Sequence, residues 1–377
     1  MKFSINVPRV FLPRENFLPW SAPACSSFPR DRARWETMMQ NAGEFPSAIH
    51  CILPDALAED ETKARIHALQ KCICVYLEKG YIERLNRGMI LVERKTSYGT
   101  RRGLLASIDL EELSAEGIFR PTAKTLPETV DVRLQARRAS LLEFPHAVLL
   151  YRDKRNKILR SVDDDLELLY DFERAGGRVA AYFIPNDDAQ FLAFDLLARS
   201  EVFAVADGNH ALAAAKAYWE EIKAPLSLEE RENHPARFTL VELVNLFDES
   251  VVFEPYHRVI KEVETEAFCS FFMKNVKCKR EKNVLIPALS KIADYEKTDE
   301  IIRTFVKQNF GRVEYRSEPY EMLGAEEDCV VVVMAPVDRE LLFAATERGK
   351  VFPAKTFRLG AEEDARYCIE GREITYD

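Results

Sequence analysis

The chain has 377 residues, 47% of them hydrophobic and 31% charged, with a net charge of −9. That balance excludes a disordered chain and argues against a nucleic-acid binder, which needs a basic face to replace phosphate counterions. The length allows two or three domains and a core large enough to fold without disulfide or metal staples.

Eight cysteines are scattered and none forms a C-x-x-C pair, so neither a zinc ribbon nor a thioredoxin-type motif is expected. No apolar run reaches the length of a membrane span, and Met1 to Pro8 lacks an apolar signal core. Free thiols without an export signal point to the cytoplasm. The short basic cluster Lys274 to Arg280 reads as a solvated loop.

The first fifty residues are rich in proline and aromatics and read as extended segments and loops. Ala56 to Lys79 has a helical apolar face that ends at Gly80. Met89–Val92 and Leu104–Ile108 read as a hairpin around Ser97-Tyr98-Gly99. His146–Tyr151 reads as a buried strand and Ser161–Arg174 as a helix, with Ser161 its N-cap and Gly176-Gly177 its end. Val179–Ile184 is a strand, Asp187–Ser200 a helix, Val202–Ala206 a strand and Asn209–Lys223 a helix. Strands follow at Phe238–Leu246 and Val251–Phe253, helices near Glu264–Met273 and Thr298–Asn309, and a strand at Cys329–Met334. Alternating strands and helices with short connections predict an α/β fold with a mixed sheet. The changes of pattern divide the chain into an N-terminal α/β region (1–120), a central domain (121–262) and a C-terminal α/β region (263–377).

The chemistry concentrates at Val205-Ala206-Asp207-Gly208-Asn209-His210. Gly208 allows a tight reversal, and Asn209 is a favoured helix N-cap type. The helix opens on small residues, and its N-terminus attracts phosphate or carboxylate. Asp207 is read as a base, a metal contact or a hydrogen-bond partner of a hydroxyl, and His210 as a proton donor or acceptor, with Gly208 and Asn209 cradling an anion. The bland alternative is a capped helix after a tight turn. Lys216, about two turns further along, is expected to pair with a carboxylate. Two further groups stand out: His257-Arg258 at a strand end, and Lys355-Thr356 near the end of the chain. Adjacent His257 and Arg258 point to opposite faces if extended. No histidine pattern suggests a metal site, and none is predicted.

The ordered set Pro19-Trp20 to Phe28, Val92-Glu93-Arg94, Arg102-Gly103 to Glu111, Glu143-Phe144-Pro145-His146, Phe203 to His210, His234 to Arg237, Phe253 to Val259, Pro353 to Phe357 and Arg366-Tyr367 closely resembles the DUF1015 family, a domain of unknown function. That signature is in turn similar to the turn of the ParB and sulfiredoxin superfamily. The resemblance implies a ParB/sulfiredoxin-like central layer with N- and C-terminal α/β additions. It also implies a nucleotide or phosphate site around Asp207 to His210, with Thr125, His257, Arg258, Lys355 and Thr356 as further ligand contacts. Phosphoryl transfer from a nucleotide, with Mg²⁺ as an accompanying ion, to a small polar metabolite is the activity it suggests. The expected partner is a small anionic or nucleotide ligand. Membranes are not expected, nucleic acid is disfavoured, and a homo-oligomer is left open.

The chain departs from the family pattern at three places. Ala24-Cys25-Ser26-Ser27 stands for Ala-Cys-Asp-Gln, Thr122-Ala123-Lys124-Thr125 for Thr-Glu-Gly-Thr, and Ala211 for serine. These departures support a second reading, a catalytically degenerate metabolite-binding or regulatory paralogue.

Overall fold

The computed structural model describes residues 4–24, 31–54, 59–144, 146–162, 165–174, 177–326, 328–364 and 366–375. The chain is a mixed α/β protein made of two compact units. The first comprises Met1–Pro121, Leu126–Val251 and Gly360–Asp377; the second comprises Thr122–Thr125 and Val252–Leu359. This differs from three consecutive regions divided at 120 and 262, because strands distant in sequence close one sheet.

That sheet has nine strands among the described residues. Its order is Glu167–Arg174, Gly177–Pro185, Gly88–Thr96, Gly99–Asp109, Phe238–Asn245, Ala147–Tyr151, Phe203–Asp207 and Phe119–Arg120, with Ile5–Asn6 also pairing Gly99–Asp109. Phe238–Asn245 runs parallel to Ala147–Tyr151, which is antiparallel to Phe203–Asp207. The expected hairpin is present, in the register Ile90↔Leu105 and Leu91↔Leu104.

Both faces are covered, and period-two alternation decides which residue serves which face. Met89, Leu91, Leu104, Leu149, Val205, Val241 and Leu243 join one core with Leu192, Leu196, Leu212, Tyr218 and Trp219. Ile90, Val92, Leu105, Leu240 and Val179 join the other with Trp20, Trp35, Leu69, Ile73 and Tyr76.

Three expectations are corrected. Ser161–Arg174 is not a helix: Lys157–Arg160 forms one short turn, Ser161 is its C-cap, and Glu167–Arg174 is an edge strand. Leu168, Tyr170 and Phe172 alternate at period two, and pairing with Gly177–Pro185 rewards that pattern over a helix. Arg32–Ala42 is a helix that the polar composition hid, with only Trp35 buried. The basic cluster is the end of a helix and the strand Cys278–Glu281, where Arg280 meets Glu266 at 2.5 Å.

The second unit holds a five-stranded sheet in the order Cys278–Glu281, Val284–Pro287, Cys329–Val332, His257–Lys261, Arg312–Arg316. The helices Thr265–Asn275 and Ile292–Gln308 meet through Phe268 and Phe305, whose rings pack edge-on at 5.2 Å. Among the described residues, no helix is long and apolar enough to cross a membrane.

Candidate functional site

Phe203, Ala204, Val205 and Ala206 are buried, and the strand Phe203–Asp207 surfaces only at Asp207, whose side chain is 36% exposed. The chain then reverses at Gly208, in a left-handed conformation with φ 98°. Gly208, not Asn209, is the N-cap; Asn209 is the first residue of the helix Asn209–Lys223. A left-handed turn favours glycine, which has no Cβ to clash, so the cap position falls one residue earlier than side-chain preference suggested. A Cβ on residue 208 would lie 2.7 Å from the Cβ of Ala147, so the turn is pressed directly onto the neighbouring strand.

Asp207 Oδ2 accepts a hydrogen bond from Arg366 Nη2 at 2.8 Å. Arg366 Nη1 donates to the His146 carbonyl. One guanidinium thus ties the turn to the start of the strand Ala147–Tyr151, and the charge pairing holds the carboxylate in a defined orientation. His210 Nε2 accepts from the Leu126 amide at 2.9 Å. Leu126 is the N-cap of the helix Pro127–Ala139, so His210 satisfies one donor at that helix start. With Nε2 as acceptor, the neutral ring carries its proton on Nδ1. A role for His210 as general base at Nε2 is therefore not open in this arrangement. Lys216 donates to the Leu110 carbonyl at 2.8 Å and pairs with Glu220 at 3.2 Å, as its distance from the helix tip suggested.

The remaining expected contacts belong to the second unit. Arg258 is completely buried. Its Nη1 donates to the carbonyls of Tyr256 at 2.8 Å and Lys355 at 2.7 Å, and its Nη2 to Asp299 Oδ1 and the Ala354 carbonyl, each at 3.3 Å. The guanidinium also stacks on Tyr315. Arg258 is spent on the fold and has no open face for a ligand. His257 Nδ1 accepts from the Met334 amide at 3.1 Å, and burial and the Arg258 charge lower the pKa of its ring. Lys355 has φ 54° and sits 5.8 Å from the Tyr256 ring centroid. Thr356 is buried and donates to the Pro353 carbonyl at 2.8 Å. Thr125 is half-buried, beside the segment where Ala123 pairs Phe352. Cys25, Ser26 and Ser27 lie outside the described residues. Arg258→Met is expected to destabilise the second unit by about 3–5 kcal/mol, because Asp299 loses a buried partner. Hydrogen exchange of the amides in His257–Lys261 measures this; unchanged protection would show that the guanidinium is not structural.

Sequence reasoning missed a set of buried titratable side chains in the first unit: Arg94, Arg101, Glu143, His146, Glu242, Arg366 and Glu370. Their signal was present in the alternation. Arg94 continues the inward positions of Ile90 and Val92, and Glu242 the inward position of Leu240. Glu143 accepts from Arg137 Nη1 at 2.6 Å, Arg372 Nε at 2.5 Å, Thr239 Oγ1 at 2.8 Å and the Leu240 amide at 2.9 Å. Burial alone would push this carboxyl up, but Arg137 and Arg372 reverse that and hold its pKa at about 2.

A separate cavity of about 920 Å³ in the first unit is lined by Trp20, Phe45, Tyr81, Arg174 and Tyr367 among others, and Asp207 does not line it. Arg174 there is engaged by the carbonyls of Leu18 and Ser21. Among the described residues, no cluster of three or more His, Cys, Asp or Glu side chains could hold a metal ion.

The described elements therefore define a mixed α/β protein with a strand-turn-helix centre at Asp207. The chain belongs to the DUF1015 family, described as proteins of unknown function, whose model matches residues 10–338. No curated protein matches it. Solved structures to which the chain is similar include a conserved hypothetical protein from Pyrococcus furiosus, at 11% identity and TM-score 0.41, covering 72% of this chain and 95% of that one. A free serine kinase mutant in complex with ADP aligns at 10% identity and TM-score 0.41, covering 72% and 92%. SbnI from Staphylococcus aureus, with a C-terminal truncation, aligns at 8% identity and TM-score 0.36, covering 67% and 81%.

Proposed function

We propose that the turn Asp207-Gly208-Asn209-His210 binds the phosphate of a nucleotide, and that the protein transfers a phosphoryl group to a small polar metabolite. The observation that carries this reading is the placement of Asp207. Its partly exposed carboxylate is oriented by Arg366 and stands beside the left-handed glycine that opens a helix of 15 residues. The positive end of the helix dipole favours a phosphate there. A fixed carboxylate next to it suits a base that accepts the proton of an attacking hydroxyl, while the γ-phosphoryl group passes from ATP to that oxygen and ADP leaves. Arg258 has no part in this reading, and His210 positions the helix start.

Calorimetry with ATP, with ADP and with CTP, each with and without Mg²⁺, tests the binding half. Heat with a nucleotide that is lost in G208V is expected; no heat with any nucleotide removes the proposal. For the transfer half, Asp207→Asn should lower turnover by about 100- to 10,000-fold, the usual contribution of general acid–base catalysis, with nucleotide affinity nearly unchanged.

A second reading is a metabolite-binding paralogue without catalysis. It is favoured by the commitment of His210 Nε2 to the Leu126 amide, and by alanine at 123 and 211. Nucleotide binding without turnover over a panel of hydroxyl acceptors would select it.

A further inference from the structure

Two buried glutamates of the first unit, Glu143, which bonds to Thr239 and Leu240, and Glu242 on the same strand as those residues, are treated differently. Glu143 is surrounded by the four donors described above. Glu242, in the strand Phe238–Asn245, is equally buried, yet neither of its oxygens accepts a hydrogen bond. Its nearest nitrogen atoms from side chains stand back, Arg101 Nε at 3.7 Å and His146 Nε2 at 3.6 Å. Arg101 Nε and both ring nitrogens of His146 also lack a hydrogen-bond partner. Burial pushes the Glu242 carboxyl up, but His146, Arg101 and Arg94 more than reverse it, so the group is held ionised.

This position is built rather than tolerated. A Cβ on Gly103, within the strand Gly99–Asp109, would fall 2.5 Å from Glu242 Oε1. A glycine in mid-strand weakens the strand, and here its missing side chain makes the room that the carboxylate occupies. A half-satisfied buried network is worse for stability than an apolar core, and such groups in native proteins mark sites with another task. The cluster also adjoins the Asp207 turn. Arg366 joins the His146 carbonyl to Asp207, and Ala147, the next residue, carries the Gly208 contact.

We propose that Arg101, His146 and Glu242 form the inner end of the ligand site, and that they take a short carboxylate bearing a hydrogen-bond donor. Arg101 and His146 supply donors for the carboxylate. Glu242 accepts from a hydroxyl or ammonium group on the same molecule. A ligand with only one of these functions leaves part of the cluster unsatisfied, which is how a buried polar site discriminates. This assignment rests on the reading of the Asp207 turn as the phosphate end of the same site.

The test is calorimetry on the full chain with four three-carbon probes. D-glycerate and L-serine carry both functions, propionate has the carboxylate without a donor, and glycerol has donors without the carboxylate. D-glycerate or L-serine should bind at least tenfold tighter than propionate and glycerol, and Glu242→Gln should weaken that binding at least tenfold. ADP heat should be unchanged in the same variant. Equal binding of propionate, unchanged affinity in the variant, or ADP heat with no carboxylate heat overturns the proposal and leaves the nucleotide reading standing. Carboxylate heat with no nucleotide heat removes the nucleotide reading alone. Should Glu242→Gln not fold, as judged by circular dichroism, Arg101→Lys keeps the charge and removes the Nε donor. It should show the same tenfold loss, and full affinity there overturns the proposal.

Discussion

Replacing Glu143 by alanine is expected to lower the stability of the first unit by about 3–5 kcal/mol, the usual result of removing one partner from a buried ion pair. Glu143 is the point at which Arg137 of the helix Pro127–Ala139, Arg372 of the strand Arg372–Glu373 and the backbone of Leu240 meet. Without it, two buried guanidinium groups lose their counter-charge. The three tryptophans, Trp20, Trp35 and Trp219, all belong to the first unit, so fluorescence during urea unfolding reports that unit. A loss under 1 kcal/mol would mean that the arginines find other partners.

The same residue predicts an acid response. Its pKa falls from an ordinary 4.5 to about 2 on folding. A depressed carboxyl stabilises the fold above its unfolded pKa, and that contribution fades as pH falls from about 5 through about 2. Linkage gives it about 3 kcal/mol. The Glu143→Gln variant should therefore lose less stability than the parent between pH 5 and pH 2. Parallel curves would show that other carboxylates carry the acid sensitivity.

Gly208→Ala is expected to be the most damaging single methyl group added at the site, at about 2–5 kcal/mol. A left-handed residue with a Cβ costs about 1–2 kcal/mol, and forcing a methyl into packed atoms costs about 1–3 kcal/mol more. Here the new methyl meets Ala147 Cβ at 2.7 Å and its Cα at 2.9 Å, and the backbone atom cannot move aside alone. Gly99 provides the control. Its φ is 131° but a Cβ there meets nothing within 4 Å, so Gly99→Ala shows the strain without the clash. Equal losses at the two positions would mean that the close approach of turn and strand contributes nothing.

The strand-turn-helix at Asp207 was legible because several local signals agree. An apolar run ends at Asp-Gly, and an alanine-rich helix begins, so Asn209–Lys223 was placed to the residue. The partner of Asp207 was not legible, since Arg366 lies 159 residues away and no local pattern links them. Arg258 was misread for a related reason. The family resemblance implied a ligand contact for it, but whether its fork meets a ligand or three carbonyls of its own chain depends on a distant loop at Ala354-Lys355. Glu167–Arg174 was misread because an edge strand with charges between its apolar residues also satisfies a helical pattern over a short window.

The residues of the first unit come from before and after the second unit in sequence. Gly360–Asp377 returns to pair its strands with Ala22–Pro23 and Leu142–Glu143. During translation, roughly a hundred residues must leave the ribosome after Val251 before Arg366 and Arg372 appear. At about 5–20 residues per second this is a delay of several seconds or more. Throughout it, Asp207 lacks Arg366, and Glu143 has Arg137 but not Arg372. The nascent first unit stays unfinished until the last strand arrives.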